Sequence, residues 1–369
     1  MERKGVCNMY GEPLLQVTNL RVVFDLQNSE QKRIIDDVDF VLNKGEILGI
    51  VGESGSGKTQ TALAILGIHI QHPGVVKGEI KFQKRTSGFE DLSSSHIDKY
   101  VNCLKGKTYF KNEKKWKKSI DQQYKLHEIR GNRIFIMFQD PKSYLNPFWT
   151  IRKHFKKIVP TKSLNGLSHD EIMTEALKKF NLPIDHVPDS YPHQLSGGMN
   201  QRVMIALGYA CKPDVIIADE ITTGLDIVNQ VAVVKHLKQI QQECKLSIIL
   251  ISHDLGFISK LSDKILVMYN GQGMEYGPAD IILDPKHLRK HPYTRELIEI
   301  FNESHKQGYI SGEPPRRDEI INGCRFHKRC PENINNPDYN CSDNVPEDFT
   351  DLVQEPHQIR CMLFQNKGI

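Results

Sequence analysis

The sequence predicts an α/β fold, and two observations carry the prediction. The first is a strand, a glycine loop and a helix in direct succession. The apolar run Ile47-Leu48-Gly49-Ile50-Val51 has the length of a buried strand, Gly52-Glu53-Ser54-Gly55-Ser56-Gly57-Lys58-Thr59 follows it, and Gln60 to Leu66 reads as a helix ending at Gly67. The second is a set of three more apolar runs of strand length, each stopping at polar residues. Ile134 to Phe138 precedes Gln139, Val215 to Ala218 precedes Asp219-Glu220, and Ile248 to Ile251 precedes Ser252-His253.

The glycine loop sits where phosphate binding requires it. Glycines let successive backbone N–H groups turn toward one anion, and the helix start adds unpaired donors and the positive end of its dipole. Lys58 then reaches the β and γ phosphates, and the Thr59 hydroxyl is placed for Mg²⁺. A glycine-rich turn with a solvated lysine is the plain alternative. It does not account for the match at every fixed position between correct flanks.

Bulk composition narrows the class. The chain has 369 residues, 39% hydrophobic and 25% charged, which suits one large core domain with additions. No apolar run approaches the roughly eighteen residues of a membrane span. Met1-Glu2-Arg3-Lys4-Gly5 leads into no signal-peptide core, so the chain is expected to stay in the cytosol and to meet a membrane only through a partner. Lys and Arg exceed Asp and Glu by 49 to 45, too little to imply nucleic acid. Cys7, Cys103, Cys211 and Cys244 are scattered and read as inert thiols. Cys324, Cys330, Cys341 and Cys361 gather in the tail, a pattern that in the cytosol suggests metal before disulfide.

Taken in order, Leu14 to Phe24 reads as a strand, Asp25 to Lys32 as a turn-rich segment, and Val38 to Leu42 as a half-buried strand. Asn43-Lys44-Gly45 forms a hairpin-like turn into the strand before the loop. Phe24, just before a polar turn, could stack on a base or simply pack in a core. Gly78 to Phe82 is another strand. From Lys84 to Leu126 the periodicity breaks. Lys105, Lys107, Lys111, Lys114, Lys115, Lys117 and Lys118 are interleaved there with Tyr109, Phe110 and Trp116. Such a run can bind nucleic acid or an anionic lipid surface, but more often it is a solvated loop, and it reads as an insertion.

Tyr191-Pro192-His193-Gln194-Leu195-Ser196-Gly197-Gly198-Met199-Asn200-Gln201-Arg202 precedes a helix with apolar Met199, Val203, Ala206, Leu207 and Ala210. Ser196, Gly197 and Gly198 at that helix start make a second anion site. Two phosphate sites on one chain are reconciled by a head-to-tail dimer that clamps each nucleotide between the first site of one chain and the second of the other.

With these residues in view, the chain resembles the nucleotide-binding subunits of ABC transporters. Gly52 to Thr59 matches that family's phosphate loop, Leu195 to Gln201 its signature motif, Val215 to Glu220 its acidic strand motif, and Thr223-Gly224-Leu225-Asp226 its dimer-contact loop. The resemblance implies an α/β P-loop ATPase core with an antiparallel β subdomain, a helical signature subdomain and a small Cys-rich extension. It also implies that Asp219 orders Mg²⁺ with Thr59 and Gln139, Glu220 polarises the attacking water, His253 contacts the γ phosphate, and Gln139 senses the nucleotide. Phe24 falls at the adenine-stacking position. Ser54, Gly55, Ser56 and Gly57 line the phosphates with Gly52 and Lys58, and Ser196, Gly197 and Gly198 act on the partner's ATP. Two positions depart from the pattern: Ile221 replaces a usual proline, and Asn200 a usual basic residue.

The expected domains are 12–275 for the ATPase, with the insertion at 84–126 and the helical subdomain at 140–210, and 276–369 for the extension. Beyond a linker at Pro314-Pro315-Arg316-Arg317, the tail resembles that of oligopeptide and dipeptide importers, as do Gln139 to Pro147 and Tyr191 to Gly198. In that branch the four cysteines are associated with a [4Fe–4S] cluster. Four thiolates serve zinc equally well, and bare thiols are the third reading. The resemblance implies a heterodimer with a second ABC ATPase, two membrane permeases and an extracellular peptide receptor, with this chain at the cytoplasmic face of the plasma membrane. Transport of another small solute such as nickel, or a soluble ATPase acting on ribosomes or nucleic acid, remains the alternative.

Overall fold

The structure is a computed structural model that describes residues 11–25, 31–68, 73–104, 107–126, 128–224, 227–302, 310, 312–316, 319, 321, 323–335, 340–344, 346 and 357–365. Cys7, Leu225, Asp226 and Lys105, singled out in the sequence, lie outside the described residues, as do the side chains of Cys103, Tyr109 and Phe110. Spatially the chain separates into two units. The first comprises Met1–Lys44, Leu48–Gln123 and His253–Ile369, and the second Gly45–Ile47 and Tyr124–Ser252.

In the first unit, β1 (Pro13–Asp25) pairs antiparallel with β2 (Gln31–Asn43), Leu15 opposite Leu42 and Val17 opposite Phe40, so alternate side chains enter the core. Irregular pairing around Leu20 coincides with Asn19 at φ 50°, whose N–H donates to Asp39 Oδ1 at 2.7 Å. Lys44-Gly45 makes the expected turn, with Gly45 at φ 69°. It does not close a hairpin, because β2 and β3 (Ile47–Val51) belong to different sheets. Helix α1 (Lys58–Ile65) follows the glycine loop. β4 (Pro73–Gln83) pairs with the other edge of β1, and β5 (Phe89–Asp91) extends the sheet in the order β2-β1-β4-β5.

The segment after β4 is not the solvated loop that its lysines suggest. It forms α2 (Ser94–Tyr100), a hairpin of β6 (Val101–Leu104) and β7 (Lys107–Phe110), and α3 (Glu113–Leu126). Trp116 and Ile120, one helical turn apart, are buried while Lys114, Lys115 and Lys118 point outward. Apolar anchors so sparse among lysines do not register as a period in the sequence.

The second unit contains a parallel run of strands. β8 (Ile134–Met137) pairs with β9 (Val215–Asp219), and β9 with β10 (Ser247–Ile251). Arg133 Nε donates to Asp214 Oδ2 at 2.6 Å, which ties the starts of β8 and β9 together. The helical part contains α4 (Pro141–Tyr144), α5 (Ile151–Ile158), α6 (His169–Lys179) and α7 (Gly197–Cys211), and α8 (Ile227–Cys244) follows β9. Thr150 caps α5, and Ser168 with Glu171 forms a capping box on α6. Gly208 lets α7 lie close on β8, since a Cβ there would stand 2.6 Å from Met137 Cε.

The chain then returns to the first unit through α9 (Leu255–Ser259), β11 (Lys264–Tyr269), β12 (Gln272–Pro278), α10 (Ala279–Leu283) and α11 (Pro292–Asn302). β11 runs parallel to β3 and antiparallel to β12. The tail contributes α12 (Pro331–Asn335), β13 (Gln358–Ile359) and α13 (Met362–Gln365), and β13 adds a strand to the edge of β12. The expected domain boundary at 275 thus falls inside β12. Among the described residues no helix is long and apolar enough to cross a membrane.

Candidate nucleotide site

The glycine loop of the first unit has a backbone that only its own sequence permits. A Cβ on Gly52 would lie 2.0 Å from the Met268 carbonyl oxygen, and Gly55 and Gly57 have φ 80° and 99°. Lys58 opens α1 and is buried, with Nζ donating to the carbonyl oxygens of Gly52 at 2.8 Å and Glu53 at 3.0 Å. These acceptors belong to the loop itself, so the ammonium is folded over the loop it serves. Ser56 is buried as well, while Ser54, Gly55 and Thr59 are exposed. His253 is exposed just before α9, where Asp254 caps the helix by accepting from Gly256 and Phe257 N–H at 2.8 and 3.1 Å. Phe24 is only 7% exposed, so β1 holds its ring among core side chains instead of offering it to solvent.

The second unit carries the acidic strand end, the glutamine and the signature residues. Asp219 closes β9 and is buried, and Glu220 follows in the left-handed region at φ 48°. That conformation costs a non-glycine residue, and it persists because the surroundings fix it. Glu220 N–H donates to the Ile251 carbonyl at 2.9 Å, and Thr223 donates twice to Glu220, from N–H to the carbonyl at 3.1 Å and from Oγ1 to Oε2 at 3.2 Å. Ile221, which replaces the usual proline, is buried at 1% exposure. Gln139 is exposed after β8, and Asp140 next to it caps α4 through Lys142 N–H at 3.1 Å.

Ser196 caps α7 by accepting from Met199 N–H at 3.2 Å, and Ser196 and Gly197 are exposed at the helix start. A Cβ on Gly197 would meet nothing within 4 Å. Asn200, the second departure, is fully buried. Its Nδ2 donates to the carbonyls of Pro192, Leu195 and Ser196 at 2.9, 3.2 and 3.1 Å, stitching the turn before the helix to the helix itself.

Three of the four tail cysteines sit beside an arginine that reaches a carboxylate of the same unit. Arg325 pairs with Asp36, Arg329 with Glu53 and Arg360 with Asp39, at 3.1, 2.8 and 3.0 Å. Cys324, Cys330, Cys341 and Cys361 are all buried, and burial pushes every one of these thiols up, Cys361 to about 12. Among the described residues no group of three or more His, Cys, Asp or Glu side chains is arranged to hold a metal ion. The expectation of a formed four-cysteine metal site is therefore not met. The contact that does join two of the cysteine segments is backbone, Cys324 N–H to the Cys341 carbonyl at 2.8 Å. Of the scattered thiols, Cys211 is buried and shifted up to about 12, as an inert thiol would be, and Cys244 is exposed.

Sequence reasoning did not find Tyr293, Arg329 or the role of Asn200. The only local signal for Arg329 was its place beside Cys330. None existed for Tyr293.

The fold and these motifs define a class, and comparison with known proteins agrees. The ABC transporter family profile matches residues 35–223. The chain belongs to the ABC transporter family and carries that family's ATPase. A second profile, the C-terminal region of oligopeptide/dipeptide transporters, matches residues 274–336. The oligopeptide transport ATP-binding protein AppD of Bacillus subtilis is 34% identical over 364 residues, spanning 96% of this chain and 98% of that protein. OppD of Salmonella typhimurium, of the same description, is 34% identical over 329 residues, 86% of each chain. Among solved structures, the ABC transporter cassette MJ0796 superimposes with a TM-score of 0.54 at 22% identity, over 72% of this chain and 99% of that one. CbiO1 of Clostridium perfringens does so with 0.52 at 22% identity, over 75% and 93%.

Proposed function

We propose that this chain is the ATP-hydrolysing subunit of an importer for oligopeptides or dipeptides. Similarity to an oligopeptide transport ATP-binding protein along 96% of the chain, tail included, carries the reading. The motor alone would be nearly blind to substrate, so the tail weighs most. The working assembly is a heterodimer with a second ABC ATPase beneath two membrane permeases at the cytoplasmic face of the plasma membrane, supplied by an extracellular peptide receptor.

Within that reading each residue has a task. Lys58 exchanges the Gly52 and Glu53 carbonyls for phosphate oxygens when ATP enters. The N–H groups from Gly52 to Gly57, with Ser54 and Ser56, surround the phosphates. Thr59, Asp219 and Gln139 would hold Mg²⁺, which would neutralise phosphate charge. Glu220 takes the proton of the attacking water, aimed by the Thr223 hydroxyl, and His253 steadies the γ phosphate. Ser196, Gly197 and Gly198 serve the nucleotide of the partner, where their donors meet the charge that develops on transfer. Phosphoryl transfer asks for positioning and charge more than covalent help.

The test is purification of this chain from gently solubilised membranes, with identification of every co-purifying polypeptide and peptide uptake by the assembly. A second ABC ATPase, two polytopic proteins and a peptide receptor are expected. Recovery with ribosomes, or with the permease of another solute, overturns the peptide reading and leaves the ATPase standing.

The four buried cysteines favour one further reading, that the tail binds iron–sulfur or zinc in the cell. Burial of all four thiols of the one small extension supports it. Elemental analysis of anaerobically purified protein, expected to give about four iron atoms or one zinc per chain, decides it. Metal-free protein of full ATPase activity removes it.

A further inference from the structure

Glu53, the second residue of the glycine loop, is held at each of its polar groups. Its N–H donates to Tyr293 Oη at 2.9 Å, and its carbonyl accepts from Lys58 Nζ at 3.0 Å. Its carboxylate takes both arms of the Arg329 guanidinium, Nη1 to Oε2 at 2.8 Å and Nη2 to Oε1 at 3.1 Å. Arg329 comes from the cysteine-rich tail, 276 residues further along the chain. Its side chain is 4% exposed. It also donates to Tyr269 Oη at 3.1 Å and the Ile310 carbonyl at 2.7 Å, and it lies 5.6 Å from the centroid of the Tyr269 ring. A planar fork so engaged has one geometry, which a lysine could not reproduce.

The loop is gripped from the tail at a second point. Ser56 offers its carbonyl to Gly271 N–H at 2.9 Å, and the carbonyl of the adjacent Asn270 accepts from Arg325 Nη1. Gly271 has φ 86°, and a Cβ there would stand 2.3 Å from the Ile34 carbonyl, so this turn has no freedom to drift. Arg325 and Arg329 follow Cys324 and precede Cys330 respectively.

We propose that Arg329 is a positioning residue for ATP. By fixing the Glu53 carboxylate it fixes the path of the loop backbone at Glu53, whose carbonyl holds Lys58 until phosphate replaces it, and the cysteine-rich tail thereby sets the affinity of the loop for nucleotide. A phosphate loop already ordered binds without the cost of ordering, and a loop released from Arg329 must meet that cost on binding. The inference rests on the reading of residues 52–59 as the nucleotide loop.

The test uses the full chain and measures the Kd of a fluorescent N-methylanthraniloyl-ATP with Mg²⁺, beside the thermal midpoint without nucleotide, for Arg329→Gln, Arg329→Lys, Glu53→Gln, the Arg329→Gln/Glu53→Gln double variant and Lys58→Ala. Arg329→Gln and Glu53→Gln are each expected to weaken binding about tenfold. The double variant should lose about tenfold again in total, not about a hundredfold, because one interaction is removed twice. Arg329→Lys should recover only part. An Arg329→Gln protein that binds within about twofold of wild type, or single effects that multiply in the double variant, overturns the proposal. Should Arg329→Gln fail to fold, Glu53→Gln leaves Arg329 its Tyr269 and Ile310 partners, and unchanged affinity in that variant overturns it equally. Lys58→Ala separates the two readings: wild-type affinity there overturns the assignment of the loop itself.

Discussion

Thr223 Oγ1 donates to Glu220 Oε2 at 3.2 Å, across a turn that also holds Glu220 in the left-handed region at φ 48°. The side chain that would accept a proton from water is therefore aimed by its own neighbour in sequence. Glu220→Gln keeps the shape and removes the carboxylate proposed as the base. Steady-state phosphate release by the assembled ATPase should fall about 10²- to 10⁴-fold while ATP affinity is retained. Unchanged turnover would assign the base elsewhere.

Asn200 donates to three carbonyl oxygens from a fully buried position. Asn200→Ala should cost about 1–3 kcal/mol in urea unfolding, since the carbonyls lose their donor. Asn200→Asp sets a carboxylate against the same oxygens and should be less stable still at pH 8. The gap between the two variants should narrow as the pH falls and the carboxyl takes up a proton.

Gly52 admits no side chain, with the Met268 carbonyl 2.0 Å from where a Cβ would stand. The obstacle is backbone on β11, which cannot swing aside as a side chain could. Gly52→Ala should lower stability by about 2 kcal/mol or more and abolish binding of fluorescent ATP. A variant that folds and binds as wild type would show that the loop tolerates a different path.

His291 is wholly buried, and burial, with Arg295 adding positive charge nearby, lowers its pKa from 6.5 to about 3. Its Nδ1 already accepts from Tyr293 N–H at 3.1 Å, so a proton has no place there. The other charged groups around it are Glu275, which accepts from His291 N–H at 2.8 Å and pairs with His357, and Lys290. Unfolded chains take up a proton near pH 6.5 that the folded chain refuses. Stability from this residue is thus full above about pH 6.5 and is lost as the pH falls toward about 3. Between pH 7 and pH 5 the loss should be about 2 kcal/mol. Urea unfolding of His291→Gln, which cannot titrate, should show a flatter dependence than wild type over that interval. Identical slopes would mean that another group dominates.

The strand before the loop, the loop, α1, α7 and the three apolar strands of the second unit were legible because their signals are contiguous. Ser196 could be read as a cap from its place before two glycines and an apolar run, and it caps α7 through Met199. The lysine-rich segment was not legible. Among the described side chains of α3, Trp116 and Ile120 mark the buried face, and Lys115, Lys117 and Asp121 stand next to them. Phe24 was open between base stacking and core, and its burial was decided by β2 and β4 pairing on either edge of β1.

By itself the sequence determined where the loop and the other motifs lie and in what order, because each is a contiguous run whose glycines, polar ends and apolar flanks sit within a few positions. Only the tertiary structure decided who holds those residues in place. Arg329 meets Glu53 across 276 positions, Arg360 meets Asp39 across 321, and Tyr293 receives the Glu53 N–H across 240. An ion pair or a single hydrogen bond leaves no periodicity and no local composition. It exists only once the sheets have packed and excluded the water that would otherwise satisfy both partners.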